Sequence, residues 1–201
     1  KLLQRLNLAQ YPYLILGWGA NQILPQNLQA LVINLKFEFN IESVDQFQEE
    51  YIFPASISLT QLTSLAVKHS LSGWEVFTGI PATLGGAIYM NAGTALGEIG
   101  SLVKEVYLLD KNGSPKTVKI NDSSFSYRKN HFLENGDVIV GAKLFHRGKD
   151  EAVGAKIKNY LEYRKTTQPL ATRNCGCVFK NPAKGMQAGR LIDQLGLKGF
   201  K

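Results

Sequence analysis

Short segments of alternating apolar and polar residues fill most of this chain, and a few stretches keep helical spacing instead. "YLIL" at 13–16 reads as an apolar strand running into the turn Gly17-x-Gly19, and "ALVINL" at 30–35 reads as a second strand. "SLTQLTSLAVKHSLSG" (58–73) reads as a helix. Ser58 and Gln61 form a capping box, Leu59, Leu62, Leu65 and Ala66 share one face, and Gly73 stands where a terminating glycine is expected. "LVKEVYLLDKNGSPKTVKI" (102–120) is a hairpin about Asn112–Gly113, and "GDVIVGAKLFHR" (136–147) is a further strand. A helix follows at 151–165, with Val153, Ile157 and Leu161 on one face, and a last helix within 185–199 ends at Gly196. Strands alternate with turns more than with helices, so the fold class expected is α+β.

Two stretches break the pattern. "TGIPATLGGAIYMNAG" (78–93) has no charge, a proline that forbids simple helix continuation, and glycines at 79, 85, 86 and 93. So apolar a loop would not stay exposed, and its amides must be satisfied internally or by a ligand that the glycines allow to approach closely. The other is "GWGANQ" (17–22). It starts like a dinucleotide fingerprint, but Gln22 occupies the third glycine's place and Pro25 with a strand follows where a crossover helix should be. It is either a small anion nest of backbone N–H groups or an ordinary tight turn.

Charge narrows the partners. Lys and Arg number 23 against 16 Asp and Glu, a formal net charge of +7. The basic residues are scattered rather than gathered on one face, which suits a phosphorylated small ligand better than nucleic acid. No apolar run approaches the roughly 18 residues of a membrane span, and the N-terminus has no signal-peptide cleavage pattern. The chain begins without methionine and stops as a helix ends, so a piece of a longer protein is expected. The only cysteines, Cys175 and Cys177, flank one glycine in "NCGCVFKNP" (174–182). So short a loop strains a disulfide, and His69, His131 and His146 match no zinc spacing. Reduced thiols, a cytoplasmic setting and no metal are expected.

Several stretches together resemble the UDP-N-acetylenolpyruvoylglucosamine reductase family, in the family's order across residues 16 to 199. They are "LGWGANQI", "GIPATLGGAIYMNAG", "FSYRKNHF", "QPLATRNCGCVFKNP" and "AGRLIDQLGLKG". The resemblance implies a two-part FAD domain of the vanillyl-alcohol-oxidase type (1–55 and 56–147), followed by the beginning of a substrate domain (148–201). It implies FAD as cofactor, NADPH as co-substrate, UDP-N-acetylglucosamine enolpyruvate as substrate and a monomer. By resemblance Gly17, Gly19, Ala20, Asn21 and Gln22 hold the flavin nucleotide. So do Gly79, Ile80, Pro81, Thr83, Gly85, Gly86, Asn91, Ala92 and Gly93 of the second stretch, with Ala55, Ser56 and Val140 beside them. Tyr127, Arg164, Gln168, Lys180 and Asn181 fall on the substrate side, Asn181 toward the sugar or diphosphate.

The implied reaction adds a hydride to one enol carbon, which leaves charge on the neighbouring carbon and its carboxylate. Arg128, at the family's Tyr-Arg position, would hold that carboxylate with a fork that never loses its charge. The family's proton donor is usually a serine, and Cys177 stands there. A thiol gives up its proton more readily than an alcohol, at the cost of sensitivity to oxidation. Cys175 is expected to be a packed residue. Ala20 replaces the family's serine, Ala82 replaces a glycine, Leu96 stands where tyrosine is frequent, and no residue here matches the family's second catalytic side chain, a glutamate near the C-terminus. Three rival readings remain: another FAD oxidoreductase of the same fold, a non-catalytic flavin-binding homologue, and a basic nucleic-acid module.

Overall fold

The computed structural model describes residues 1–169, 176–182 and 185–200. It divides into two compact units, Lys1–Thr166 and Thr167–Lys201. The first unit opens with α1 (Leu2–Leu8), to which the apolar pattern assigns nothing, since the helix buries only Leu3. β1 (Tyr13–Ile15) and β2 (Leu31–Ile33) pair in parallel, Leu14 opposite Val32. Parallel neighbours usually need a crossover helix; here the connection is the glycine turn and an irregular run through Pro25.

β3 (Glu50–Pro54) turns Tyr51 and Phe53 into the core and leaves Ile52 outside, as a two-residue period requires. The capping box of α2 (Leu59–His69) is present, with Ser58 Oγ accepting from the Gln61 N–H at 3.1 Å, and the expected face is buried. The expected glycine stop is corrected. Ser70 ends the helix in the left-handed region at φ 55°, its N–H bonded to the Ala66 and Val67 carbonyls. Gly73, at φ 93°, instead starts the 3-10 turn Trp74–Phe77, and a Cβ there would press on Leu102 Cδ2 at 3.1 Å.

The stretch 78–93, read as a loop, contains the helix α3 (Leu84–Tyr89). Thr83 caps it, accepting the Gly86 N–H at 3.3 Å, and Leu84, Ala87 and Ile88 form its buried stripe. Gly85, the fourth buried position, carries no side chain and leaves a gap in that stripe for a periodicity reading. A small hairpin follows, β4 (Gly93–Thr94) with β5 (Gly97–Glu98). β6 (Val103–Leu109) and β7 (Pro115–Lys119) form the expected Asn112–Gly113 hairpin; the Asp110 carboxylate accepts from the Asn112 and Ser114 N–H groups at 2.8 Å. β8 (Phe125–Ser126) and β9 (Lys129–Asn130) leave Tyr127 and Arg128 as the turn between them.

β10 (Val138–Phe145) completes an antiparallel sheet in the order β3-β10-β6-β7. One face packs on α2 and α3 through Trp74, which meets Tyr51, Phe53 and Phe77 edge-on and donates its Nε1–H to the Phe145 carbonyl at 2.9 Å. The other face carries a charged ladder in which Lys143 lies 3.2 Å from Glu105, and Glu50 pairs with Lys104. α4 (Val153–Thr167) buries Val153 and Ile157 but leaves Leu161 exposed, so the expected apolar face is one turn shorter. In the second unit α5 (Ala188–Gln194) buries none of its side chains and ends before Gly196, at φ 68°. The α+β class holds.

Candidate functional site

The turn leaving β1 is held from outside. Asn34, just past β2, donates its side-chain amide to the Leu16 and Gly17 carbonyls at 2.8 and 2.9 Å. Gln22 closes the turn by donating its N–H to the Gly19 carbonyl at 3.2 Å, with Gly19 at φ 70°. Among the described residues, the N–H groups of Gly17, Trp18, Gly19, Ala20 and Asn21 have no protein acceptor. Successive unpaired backbone donors are what an anion nest offers, so of the two readings of this turn the nest is favoured. Trp18 and Ile23 expose their apolar side chains beside it, at 55% and 86%.

This turn touches the second glycine stretch. A Cβ on Gly17 would stand 2.6 Å from Thr83 Oγ1, and Asn21 donates its side-chain amide to Met90 Sδ at 3.4 Å. Backbone bonds tie the second stretch to the sheet, the Gly85 N–H to the Ala55 carbonyl and the Ala55 N–H to the Val140 carbonyl, both at 2.9 Å. A Cβ on Gly85 would lie 2.8 Å from that of Ala55, so the helix approaches the strand's end too closely for a side chain. Ser56 accepts the Phe37 N–H at 3.1 Å. Ile80 and Ala82 close the bend at Pro81, and the Gly79 carbonyl accepts from Arg164 of α4. Thr78 Oγ1 is buried and has no partner among the described residues, at the entry to this stretch.

Asn91 and Arg128 form the other end. Asn91 is 1% exposed and sits in the left-handed region at φ 46°. Its amide nitrogen donates to Glu98 Oε2 at 2.7 Å and to the Ser126 carbonyl at 3.0 Å; its oxygen accepts the Gly100 N–H at 3.0 Å. Its side chain is therefore taken up by protein groups. Ala92 is buried, and Gly93 lies against Gly97 and Glu98 without room for a Cβ. Arg128, at φ 57°, donates Nη2–H to the Gly93 carbonyl at 2.7 Å and Nη1–H to that of Asn91 at 3.4 Å, and its guanidinium lies 5.3 Å from the Tyr127 ring centre. Among the described residues the other donors of its fork meet no acceptor, which leaves them for a carboxylate. A bulky residue with positive φ is uncommon and is held only where its surroundings determine it.

The other predicted residues belong to the second unit. Cys177 is a free, exposed thiol and Lys180 is exposed. Asn181 accepts the Ala188 N–H at 3.1 Å, so it caps α5. Gln168 lies on the stretch after α4, and Cys175, with the rest of 170–175, falls outside the described residues. Sequence reasoning missed Asn34, Met90, Glu98 and Ser126, whose roles come from distant partners. Only Asn34 left a signal, as a lone amide ending an apolar strand.

The chain matches the FAD binding domain family over residues 1–119, and the C-terminal domain of UDP-N-acetylenolpyruvoylglucosamine reductase over 168–201. It is 30% identical to the UDP-N-acetylenolpyruvylglucosamine reductase of Thermus caldophilus. The two superpose with a TM-score of 0.77 over 97% of this chain and 70% of that one. The chain belongs to the UDP-N-acetylenolpyruvoylglucosamine reductase family. Two further reductases of the family, from Streptococcus pneumoniae strains CGSP14 and JJA, are 35% and 34% identical over 97% and 100% of this chain. The chain spans 64% and 66% of their lengths. Among the described residues no helix is long and apolar enough to cross a membrane.

Proposed function

We propose that this chain carries the flavin site and part of the substrate site of a reductase that converts UDP-N-acetylglucosamine enolpyruvate to UDP-N-acetylmuramate with NADPH, a step of bacterial peptidoglycan precursor synthesis. The observation that carries it is the contact of Gly17 with Thr83, which sets the unpaired N–H groups of residues 17–21 against the glycine-rich stretch. This arrangement fits FAD: backbone donors for a diphosphate, close-packed glycines for a ring system, and exposed apolar side chains beside them. Gly17, Gly19, Ala20, Asn21 and Gln22 would hold the diphosphate end. The stretch from Gly79 to Gly93, with Ala55, Ser56 and Val140, would hold the rest, except for the Asn91 side chain, which protein groups already take up. Bound FAD supplies hydride chemistry that no side chain can.

The protein's own share is charge and protons. Arg128 holds the substrate carboxylate and stabilises the negative charge that grows on it as the adjacent carbon becomes electron-rich. Cys177 delivers the proton to that carbon and is left as a thiolate. Tyr127, Arg164, Gln168, Lys180 and Asn181 position the nucleotide sugar. We assign residues 1–55 and 56–147 to the two flavin subdomains, 148–201 to the start of the substrate domain, and the enzyme to the cytoplasm as a monomer.

The test is the visible spectrum of the purified protein, before and after NADPH without air. Two flavin bands that bleach with NADPH and return with UDP-N-acetylglucosamine enolpyruvate are expected. Bands unmoved by either compound, or a protein that takes up no FAD, would overturn the reading.

A further inference from the structure

We infer that Asn91 is a positioning residue for Arg128 rather than a ligand of the cofactor, an inference that rests on the function proposed above. Its amide nitrogen has two hydrogens and both are used, one on Glu98 Oε2 and one on the Ser126 carbonyl, two residues before Arg128. Its oxygen accepts the Gly100 N–H. One buried side chain thus joins the end of α3, the β5 strand, the turn after it and the β8–β9 hairpin that carries Arg128. Its own carbonyl, and that of Gly93 two residues on, are the acceptors on which the guanidinium rests.

The backbone agrees. Asn91 and Arg128 both adopt positive φ, at 46° and 57°. Asparagine tolerates that region well and arginine poorly, so something must hold the hairpin turn in place. The link from Asn91 to Ser126 is a direct tie on the turn's entering strand. Release it and Arg128 keeps its charge while losing its fixed place, and a displacement near 1 Å can cost about a hundredfold in rate.

Asn91→Gly keeps the backbone conformation and removes the tie. Asn91→Asp keeps the acceptor for Gly100 and removes both donors, setting a second carboxyl against Glu98. A carboxylate has no hydrogen to donate, so the Ser126 carbonyl loses its partner and the tie to the hairpin is gone. The charged groups bonded to Asn91 are Glu98 of β5 and, through the backbone carbonyl, Arg128 of the β8–β9 turn. In the full chain loaded with FAD, bleaching by NADPH should change by less than about twofold in both variants. Reoxidation by UDP-N-acetylglucosamine enolpyruvate should slow by about ten- to a hundredfold. Calorimetric affinity of the unreduced protein for the enolpyruvate should drop in both. Equal slowing of both half-reactions, loss of FAD or folding in both variants, or rates matching the parent would overturn the inference. A parent protein that neither binds the enolpyruvate nor reoxidises with it would overturn the function instead.

Discussion

Gly17 and Thr83 stand so close that a single methyl group on the glycine would lie 2.6 Å from the threonine hydroxyl. That hydroxyl is already committed, since it caps α3 through the Gly86 N–H. The first glycine turn and the helix of the second glycine stretch are therefore one packed unit. Gly17→Ala should force Thr83 aside and cost about 1–3 kcal/mol through overpacking, with weaker flavin binding. Thr83→Ala alone should cost about 1 kcal/mol for the lost cap. The double variant should be less damaged than the sum, because the second change makes room for the first. Thermal melting and flavin fluorescence titration of the four proteins read the cycle; strict additivity would refute the contact.

The charged face of the sheet sets the pH response. The Lys143 ammonium beside Glu105 holds that carboxyl below the usual glutamate range, and the same contact raises Lys143. The lowered Glu105 contributes stability that is present above the unfolded glutamate value of about 4.3 and is lost as pH falls through the folded value. The raised Lys143 contributes stability that is present below its unfolded value and lost as pH rises through its folded one. Lys156, hydrogen-bonded to Asp150 at 2.6 Å, repeats both signs at the start of α4. Lys143→Gln should therefore flatten both the acid and the alkaline limb of melting temperature against pH. A curve that merely shifts down, with unchanged slopes, would show that the pair does not set them.

Local chemistry was legible in the sequence where one short segment decides the outcome. Ser58 with Gln61, and Asn112 with Gly113, each carry enough information to place a helix start and a turn, and both stand as expected. The α3 helix was not legible, because its six residues are few, Gly85 leaves a gap in its buried stripe, and its cap at Thr83 follows a proline by only two residues. The parallel pairing of β1 with β2 was equally hidden, since nothing between them forms the usual helix. Arg128 was singled out through its motif. Its left-handed turn is bonded to Asn91 through Ser126 and its guanidinium rests on the Gly93 carbonyl, partners remote in sequence that no periodicity encodes.

Cys177 gives the sharpest test of the proposed chemistry. It is exposed and unpaired, so its thiol can meet a substrate and can also be alkylated. If it donates the proton, Cys177→Ser in the full chain should keep turnover within about tenfold, because a hydroxyl still has a proton to give. Cys177→Ala should lose about 10²- to 10⁴-fold, the usual worth of a positioned acid. Bleaching of the flavin by NADPH should be the same in all three, since no proton passes to substrate in that half. Alkylation with iodoacetamide should reproduce the alanine result, and saturating UDP-N-acetylglucosamine enolpyruvate should slow it. Equal turnover in the cysteine, serine and alanine proteins would remove Cys177 from the mechanism and leave the proton to another group.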